Sequence, residues 1–162
     1  MLKGLTLFEG LVFGGILAVV VFGTGFATAA ARERARDYKR LADVVRIQSA
    51  LEIYFNDKNS YPISASPVAL GGEGAKCLDG TGLQAACPSS GRVYLNPIPG
   101  QTAIGLGGGL PKAYMYESDG ENYVITLGIE HKIPEVGVEK GLVCARPGQN
   151  LAPAIGGKCG LK

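Results

Sequence analysis

Apolar residues fill the chain from Leu5 to Ala31, where Glu9 is the one residue that carries a charge at neutral pH. The stretch has no polar face, so a helix formed there must be surrounded by apolar material on all sides. From Gly10 to Ala31 about 22 uncharged residues would span roughly 33 Å as a helix, against a bilayer core of about 30 Å. The pattern predicts a membrane-length, transmembrane helix over residues 5–31.

Beyond Asp37 the apolar positions narrow to one stripe with steps of three and four residues. The stripe comprises Leu41, Val44, Val45, Gln48, Leu51, Tyr54 and Phe55. No proline interrupts residues 5–60, so we expect both stretches to form one helical spine that ends near Asn56–Asn59. The basic run Arg32–Arg40 between them is typical of a solvated helix face that carries salt bridges.

Strand patterns appear only in the second half of the chain. Ala113–Glu117 and Tyr123–Ile129 alternate in polarity, and an Asp-Gly pair between them favours a hairpin. Residues 61–112 are a long connection rich in Gly and Pro, with short extended pieces such as Val93–Leu95. The predicted fold class is α+β: a long N-terminal helical spine, with a membrane-length apolar half and an amphipathic half, and a small antiparallel β-sheet head.

Four cysteines offer the head a source of stability besides its core. Gly and Pro supply 28 of the last 102 residues, close to the fraction at which a chain stops packing as a globule. An even number of cysteines in a small, loop-rich domain predicts two disulfides. We expect Cys77 to pair with Cys87 and Cys144 with Cys159, the shortest loops among the three possible connectivities. Zinc is disfavoured because there is no Cys-x-x-Cys pair and the single histidine, His131, is distant from any cysteine.

The charge pattern and the remaining motifs argue against several functions. Residues 61–162 carry eight basic and eight acidic residues, so a nucleic-acid partner is not indicated. The glycine run Gly105–Gly109 lacks the Gly-Lys-Ser/Thr ending of a phosphate loop. One histidine and scattered acids do not assemble a catalytic arrangement. We therefore expect no enzyme, no catalytic residues, no metal, no cofactor and no small-molecule substrate.

The first residues form a motif, KGLTLFE at residues 3–9, followed by the apolar stretch, and a looser match covers Ala42 to Pro62. This start resembles type IV pilins and the pseudopilins of type II secretion. The resemblance implies that prepilin peptidase cleaves between Gly4 and Leu5 and that Leu5 is then N-methylated. Four segments follow in order: a leader (1–4), a transmembrane and filament-core helix (5–31), an amphipathic helix (32–60) and a globular β-rich head (61–162).

The same resemblance implies a structural role. The chain would be a pilin, the subunit of an extracellular type IV pilus that serves adhesion, motility or DNA uptake. Its partners would be the inner membrane, which it spans once before assembly, prepilin peptidase, the assembly machinery, and copies of itself in a helical filament. Glu9 would pair with the amine of Leu5 on a neighbouring subunit, since a carboxylate in an apolar helix needs a partner.

Two alternatives remain at this point. One is a pseudopilin of type II secretion, disfavoured because the acidic residues Asp119, Glu121, Glu135 and Glu139 lack recognisable calcium-ligand spacing. The other is an extracytoplasmic binding domain on a signal anchor.

Overall fold

One long helix precedes all the strands. The structure is a computed structural model that describes residues 7–149 and 151–161, and the side chains of Leu7 and of residues 22–30 lie outside that description. Helix α1 runs over Leu7–Lys58.

The end of α1 is set by a residue that leaves the right-handed conformation. Asn59 adopts a φ of 54° and donates its N–H to the carbonyl of Phe55 at 2.7 Å, which is a left-handed helix cap. Asparagine tolerates this conformation better than most residues with a side chain. The helix thus ends where the sequence pattern predicts.

Among the described residues, no helix is long and apolar enough to cross a membrane. The predicted fold class is therefore wrong in its membrane-length apolar half, and the localisation as a single-pass inner-membrane protein is wrong as well. The sequence pattern overestimated the span because it counted every uncharged residue, although Gly, Ala and Thr carry little apolar surface.

In the described part of the chain, eight short strands follow the helix. They are β1 (Ser64–Leu70), β2 (Cys77–Asp79), β3 (Gly82–Gln84), β4 (Val93–Leu95), β5 (Tyr114–Ser118), β6 (Tyr123–Ile129), β7 (Gly141–Ala145) and β8 (Ala152–Pro153). Five strands form one sheet in the order β1-β5-β6-β7-β8, and three form a second sheet in the order β3-β2-β4. Every pairing is antiparallel, so the predicted antiparallel sheet is confirmed.

The predicted hairpin is formed by β5 and β6, with Ser118 opposite Tyr123. Its turn is built by Asp119, whose Oδ1 accepts the N–H groups of Glu121 at 2.9 Å and Asn122 at 2.7 Å. Gly120 has a φ of 98°, a conformation that glycine adopts without a Cβ penalty. The local Asp-Gly sequence therefore determines this part of the fold.

Both predicted disulfides are confirmed. Cys77 and Cys87 are bonded with their Cα atoms 5.3 Å apart, and Cys144 and Cys159 with theirs 5.6 Å apart. The first closes the chain around β3, and the second joins β7 to the C-terminal segment. All four cysteines are paired, and each bond restricts the unfolded chain.

The chain divides into two compact units: residues 1–35, the N-terminal unit, and residues 36–162, the C-terminal unit. The C-terminal unit contains the hydrophobic core, in which one face of α1 packs with the two sheets. From the helix come Leu41, Val44, Ile47, Leu51 and Tyr54, and from the five-stranded sheet come Tyr114, Tyr116, Tyr123, Ile125, Leu127 and Ile129.

Candidate assembly surfaces

The N-terminal unit exposes apolar side chains around the whole helix. Within the described stretch, Phe8 is 77% exposed, Leu17 67% and Val19 73%. At 100° per residue Phe8 and Val19 lie on one face of α1 and Leu17 lies on the opposite face. We call Phe8–Val21 the N-terminal apolar surface. A monomeric soluble protein seldom exposes a contiguous apolar patch larger than a few hundred Å², and a surface of this kind is typical of an interaction site.

Three glycines interrupt the N-terminal apolar surface, and no described residue of the chain packs against them. A Cβ placed on Gly10, Gly14 or Gly15 would meet no atom within 4 Å. Small residues at a helix surface allow the backbone of a second helix to approach closely. These positions are therefore open for helix-to-helix contact.

Glu9 lies in the first turn of α1 and is exposed. A carboxylate near a helix N-terminus is favoured by the helix dipole, which makes this end of the apolar surface negative. The residues of the expected cleavage and methylation, Gly4 and Leu5, lie outside the described residues. The pairing of Glu9 with a Leu5 amine thus stays a prediction.

A second apolar surface follows the outer face of α1 in the C-terminal unit. We call it the outer stripe; its members are Tyr38, Ala42, Val45, Ser49 and Ile53. Tyr38 is 47% exposed, Val45 55% and Ile53 47%, and they recur at helical steps about 150° from the face that packs in the core. The sequence pattern placed Val45 in one stripe with Leu41, Val44 and Leu51, but Val45 lies on this outer face, away from those three buried residues.

Basic side chains border the outer stripe. Lys39 and Arg46 are both exposed on the same part of α1. The ammonium of Lys39 lies 2.6 Å from a carboxylate oxygen of Asp43, one turn away. Lys39 is thus paired within its own helix, whereas the exposed Arg46 would complement a partner surface with negative charge.

Other charged residues of the basic run turn inward, contrary to the solvated face that the pattern predicts. Asp37 is 1% exposed and Arg40 2%. Arg40 Nη1 lies 2.6 Å from Asp37 Oδ1 and 2.6 Å from Glu130 Oε1. Arg36 forms a two-point contact with Glu130, at 3.1 and 2.8 Å. These four residues, which we call the buried ionic cluster, combine two positive and two negative charges.

The buried ionic cluster joins α1 to the end of β6. Asp37 accepts the backbone N–H groups of Glu130 at 3.0 Å and His131 at 2.9 Å. Hydrogen bonds from Arg36 outweigh the opposing effect of burial and lower the pKa of Glu130 to about 2, with Arg40 acting in the same direction. The Glu130 carboxylate therefore stays ionised and bonded to the two arginines across the ordinary pH range.

Arg40 also fixes the glycine-rich loop. Its Nη2 donates to the carbonyls of Thr102 at 3.0 Å and Ile104 at 2.9 Å. The next residue, Gly105, has a φ of 83°, and a Cβ there would collide with the carboxylate of Glu130. The glycine run that superficially resembles a phosphate loop is thus positioned by an arginine and a carboxylate of its own chain.

The acidic residues weighed for calcium occupy separate places. Asp119 builds the hairpin turn, Glu135 lies in a short 3-10 helix, Pro134–Val136, and Glu139 pairs with Lys132 at 2.6 Å. In the described part of the chain no group of three or more His, Cys, Asp or Glu residues is placed to hold a metal ion.

Comparison with known proteins gives no match: neither a protein-family model, nor a curated protein, nor a solved structure matches this chain.

Proposed function

We propose that this chain is a structural subunit of a type IV pilus, assembled by packing of helices between copies. The observation that carries the proposal is the pair of apolar surfaces left uncovered by the chain's own fold, the N-terminal apolar surface and the outer stripe. Covering them removes apolar area from water at about 25 cal/mol per Å². A second copy supplies apolar helix surface of the required kind.

Two different surfaces on one chain favour an open assembly. When one surface of a subunit binds a different surface of the next, the contact is heterologous, and it continues as a helical filament unless the rotation closes a ring. A single self-complementary patch would instead stop at a dimer. The pair of helix surfaces in this chain therefore supports a filament.

Charge supports a defined register between copies. Glu9 is negative at one end of the N-terminal apolar surface, and the resemblance implies that it pairs with the Leu5 amine of a neighbouring copy once the leader is removed. Arg46 adds positive charge beside the outer stripe. Charges placed in this way contribute specificity and orientation more than affinity.

The buried ionic cluster gives the outer stripe a fixed support. It bonds one end of the C-terminal part of α1 to the sheet through Asp37, Arg40 and Glu130, so the stripe keeps one orientation on a folded unit. A preformed surface loses less conformational entropy on assembly than a mobile one.

The test is the yield of filaments from cells that express the chain with prepilin peptidase and pilus assembly proteins. Glu9→Ala is expected to reduce the filament yield at least tenfold, measured by electron microscopy and sedimentation. The matched control is Glu121→Ala in the exposed hairpin turn, which should assemble normally. Normal filaments from Glu9→Ala would refute the pairing role of Glu9. Absence of filaments from the unaltered chain under these conditions would refute the proposed function.

A further inference from the structure

A groove of about 550 Å³ lies between the edges of the two sheets. Ser64, Ser66 and Val68 of β1 form one side, and Gly82 and Leu83 of β3 form the other. Both β1 and β3 are terminal strands of their sheets. The volume falls within the range of about 300–1,000 Å³ typical of ligand sites.

The register of β3 directs backbone groups into this space. Asp79 is opposite Gly82 across a two-residue loop, and the closing pair of such a hairpin exchanges hydrogen bonds. In an antiparallel ladder the next pair directs its N–H and C=O groups outward. The N–H and C=O of Leu83 therefore point away from β2, and Leu83 is one of the residues that line the groove.

The facing edge of β1 is irregular over the same length. Ser64 is opposite Ser118 and Val68 is opposite Tyr116, so three residues of β1 face one residue of β5. This bulge places Ala65 and Ser66 at the surface, where both are exposed. A bulge changes the direction of the edge strand and interrupts its regular pairing with the neighbouring strand, here β5.

The walls are held by hydrogen bonds. The N–H of Tyr61 donates to the carbonyl of Gly120 at 2.7 Å, and the hydroxyl of Tyr116 donates to the carbonyl of Pro62 at 2.8 Å. Across the groove the hydroxyl of Thr81 donates to Asp79 at 2.6 Å. A site built on fixed walls requires little ordering when it binds.

The chemistry of the lining points to an uncharged occupant. None of the residues that the structure places along the groove is charged; they are tyrosines, small hydroxyl residues, glycines and short apolar side chains. We infer that the groove binds an extended, uncharged peptide segment, which adds as a strand to β3 through the N–H and C=O of Leu83. Main-chain hydrogen bonds supply affinity in such strand addition. The inference rests on different residues from the filament proposal and does not depend on it.

The test uses the full chain and a blocked Thr-Val-Thr-Val-Thr peptide, with binding followed by calorimetry and by amide chemical shifts. Leu83→Pro removes the outward N–H but no donor to β2, a change that edge strands tolerate. It is expected to weaken binding at least tenfold, whereas the control Leu83→Val should bind as the unaltered chain does. The same peptide with N-methylated backbone amides should also bind at least tenfold more weakly.

Three results would overturn the inference. The first is no binding of the blocked peptide to the unaltered chain. The second is equal binding of the peptide to Leu83→Pro and Leu83→Val when both have the unaltered midpoint of unfolding. The third is binding of a neutral oligosaccharide, maltotriose, in the groove while the peptide fails to bind. If Leu83→Pro does not fold, the N-methylated peptide still decides the matter on the unaltered chain.

Discussion

The two units of the chain place charged and apolar side chains in opposite ways. In the C-terminal unit the charges of Asp37 and Arg40 are buried and mutually bonded. In the described part of the N-terminal unit, large apolar side chains such as Phe8 and Val19 are exposed. The C-terminal unit therefore contains the partners that its buried groups require. We propose that other copies of the chain cover the N-terminal apolar surface, and its exposure is the physical basis of the filament proposal.

The largest effect on folding is expected when the central cation of the buried ionic cluster, Arg40, is removed. Arg40→Met should lower the free energy of unfolding of the C-terminal unit by about 3–5 kcal/mol, because it leaves buried carboxylates without their shared partner. Denaturant unfolding followed by circular dichroism measures the change.

The matched control is Arg46→Met, since Arg46 is exposed on the same helix. Its free energy of unfolding should lie within about 0.5 kcal/mol of the unaltered chain. Equal effects of Arg40→Met and Arg46→Met would contradict the structural role of the cluster.

Acid should weaken the same cluster by protonating Glu130. Its pKa is about 2 in the folded chain, against an ordinary value of 4.5, so the unfolded chain binds more protons between these values. The stabilisation is present above about pH 4.5 and is lost as pH falls to about 2, for a total of about 3 kcal/mol. The difference in free energy of unfolding between the unaltered chain and Glu130→Gln should therefore shrink over this range. A difference that stays constant from pH 6 to pH 2.5 would be inconsistent with ionic bonding of Glu130.

A smaller effect is expected where the glycine-rich loop meets the cluster. Gly105→Ala should lower the free energy of unfolding by about 2 kcal/mol, because alanine disfavours a positive φ and its Cβ would collide with Glu130. The control is Gly107→Ala, where a Cβ meets no atom within 4 Å. Thermal melts of the two variants measure the difference. Identical melting temperatures would show that Gly105 does not lie close against the Glu130 carboxylate.

The smallest effect on folding is expected on the outer stripe. Val45→Ser should change the free energy of unfolding by less than about 0.5 kcal/mol, since Val45 is exposed. The adjacent Val44 is fully buried, so Val44→Ser should cost about 2 kcal/mol or more. Urea unfolding of both variants provides the comparison. A large loss for Val45→Ser would mean that this side chain belongs to the core.

Local chemistry explains which parts of the fold could be predicted from the sequence. The β5–β6 hairpin follows from Asp119 and Gly120, whose turn geometry needs no distant partner. The two disulfides follow from short loops between cysteines. In contrast, β1 was missed because Pro67 and the bulge before Val68 disrupt its alternation.

The buried ionic cluster could not be predicted because its burial depends on a distant partner. Arg40 and Glu130 are 90 positions apart in sequence, and a run of alternating charges ordinarily indicates a solvated helix. The outer stripe could have been found in the sequence. Tyr38, Val45 and Ile53 recur at helical steps, on a different face of the helix from Val44 and Leu51. The membrane-length prediction failed for a different reason, because absence of charge was taken as apolarity.

The central claim, that other copies of the chain cover the N-terminal apolar surface, is tested most directly by photo-cross-linking in assembled material. The photoreactive analogue p-benzoylphenylalanine replaces Phe13, which is 66% exposed, in subunits mixed with isotope-labelled copies. The account predicts cross-links between labelled and unlabelled chains that map to residues 8–21 or 38–53. Products confined to single chains would contradict it.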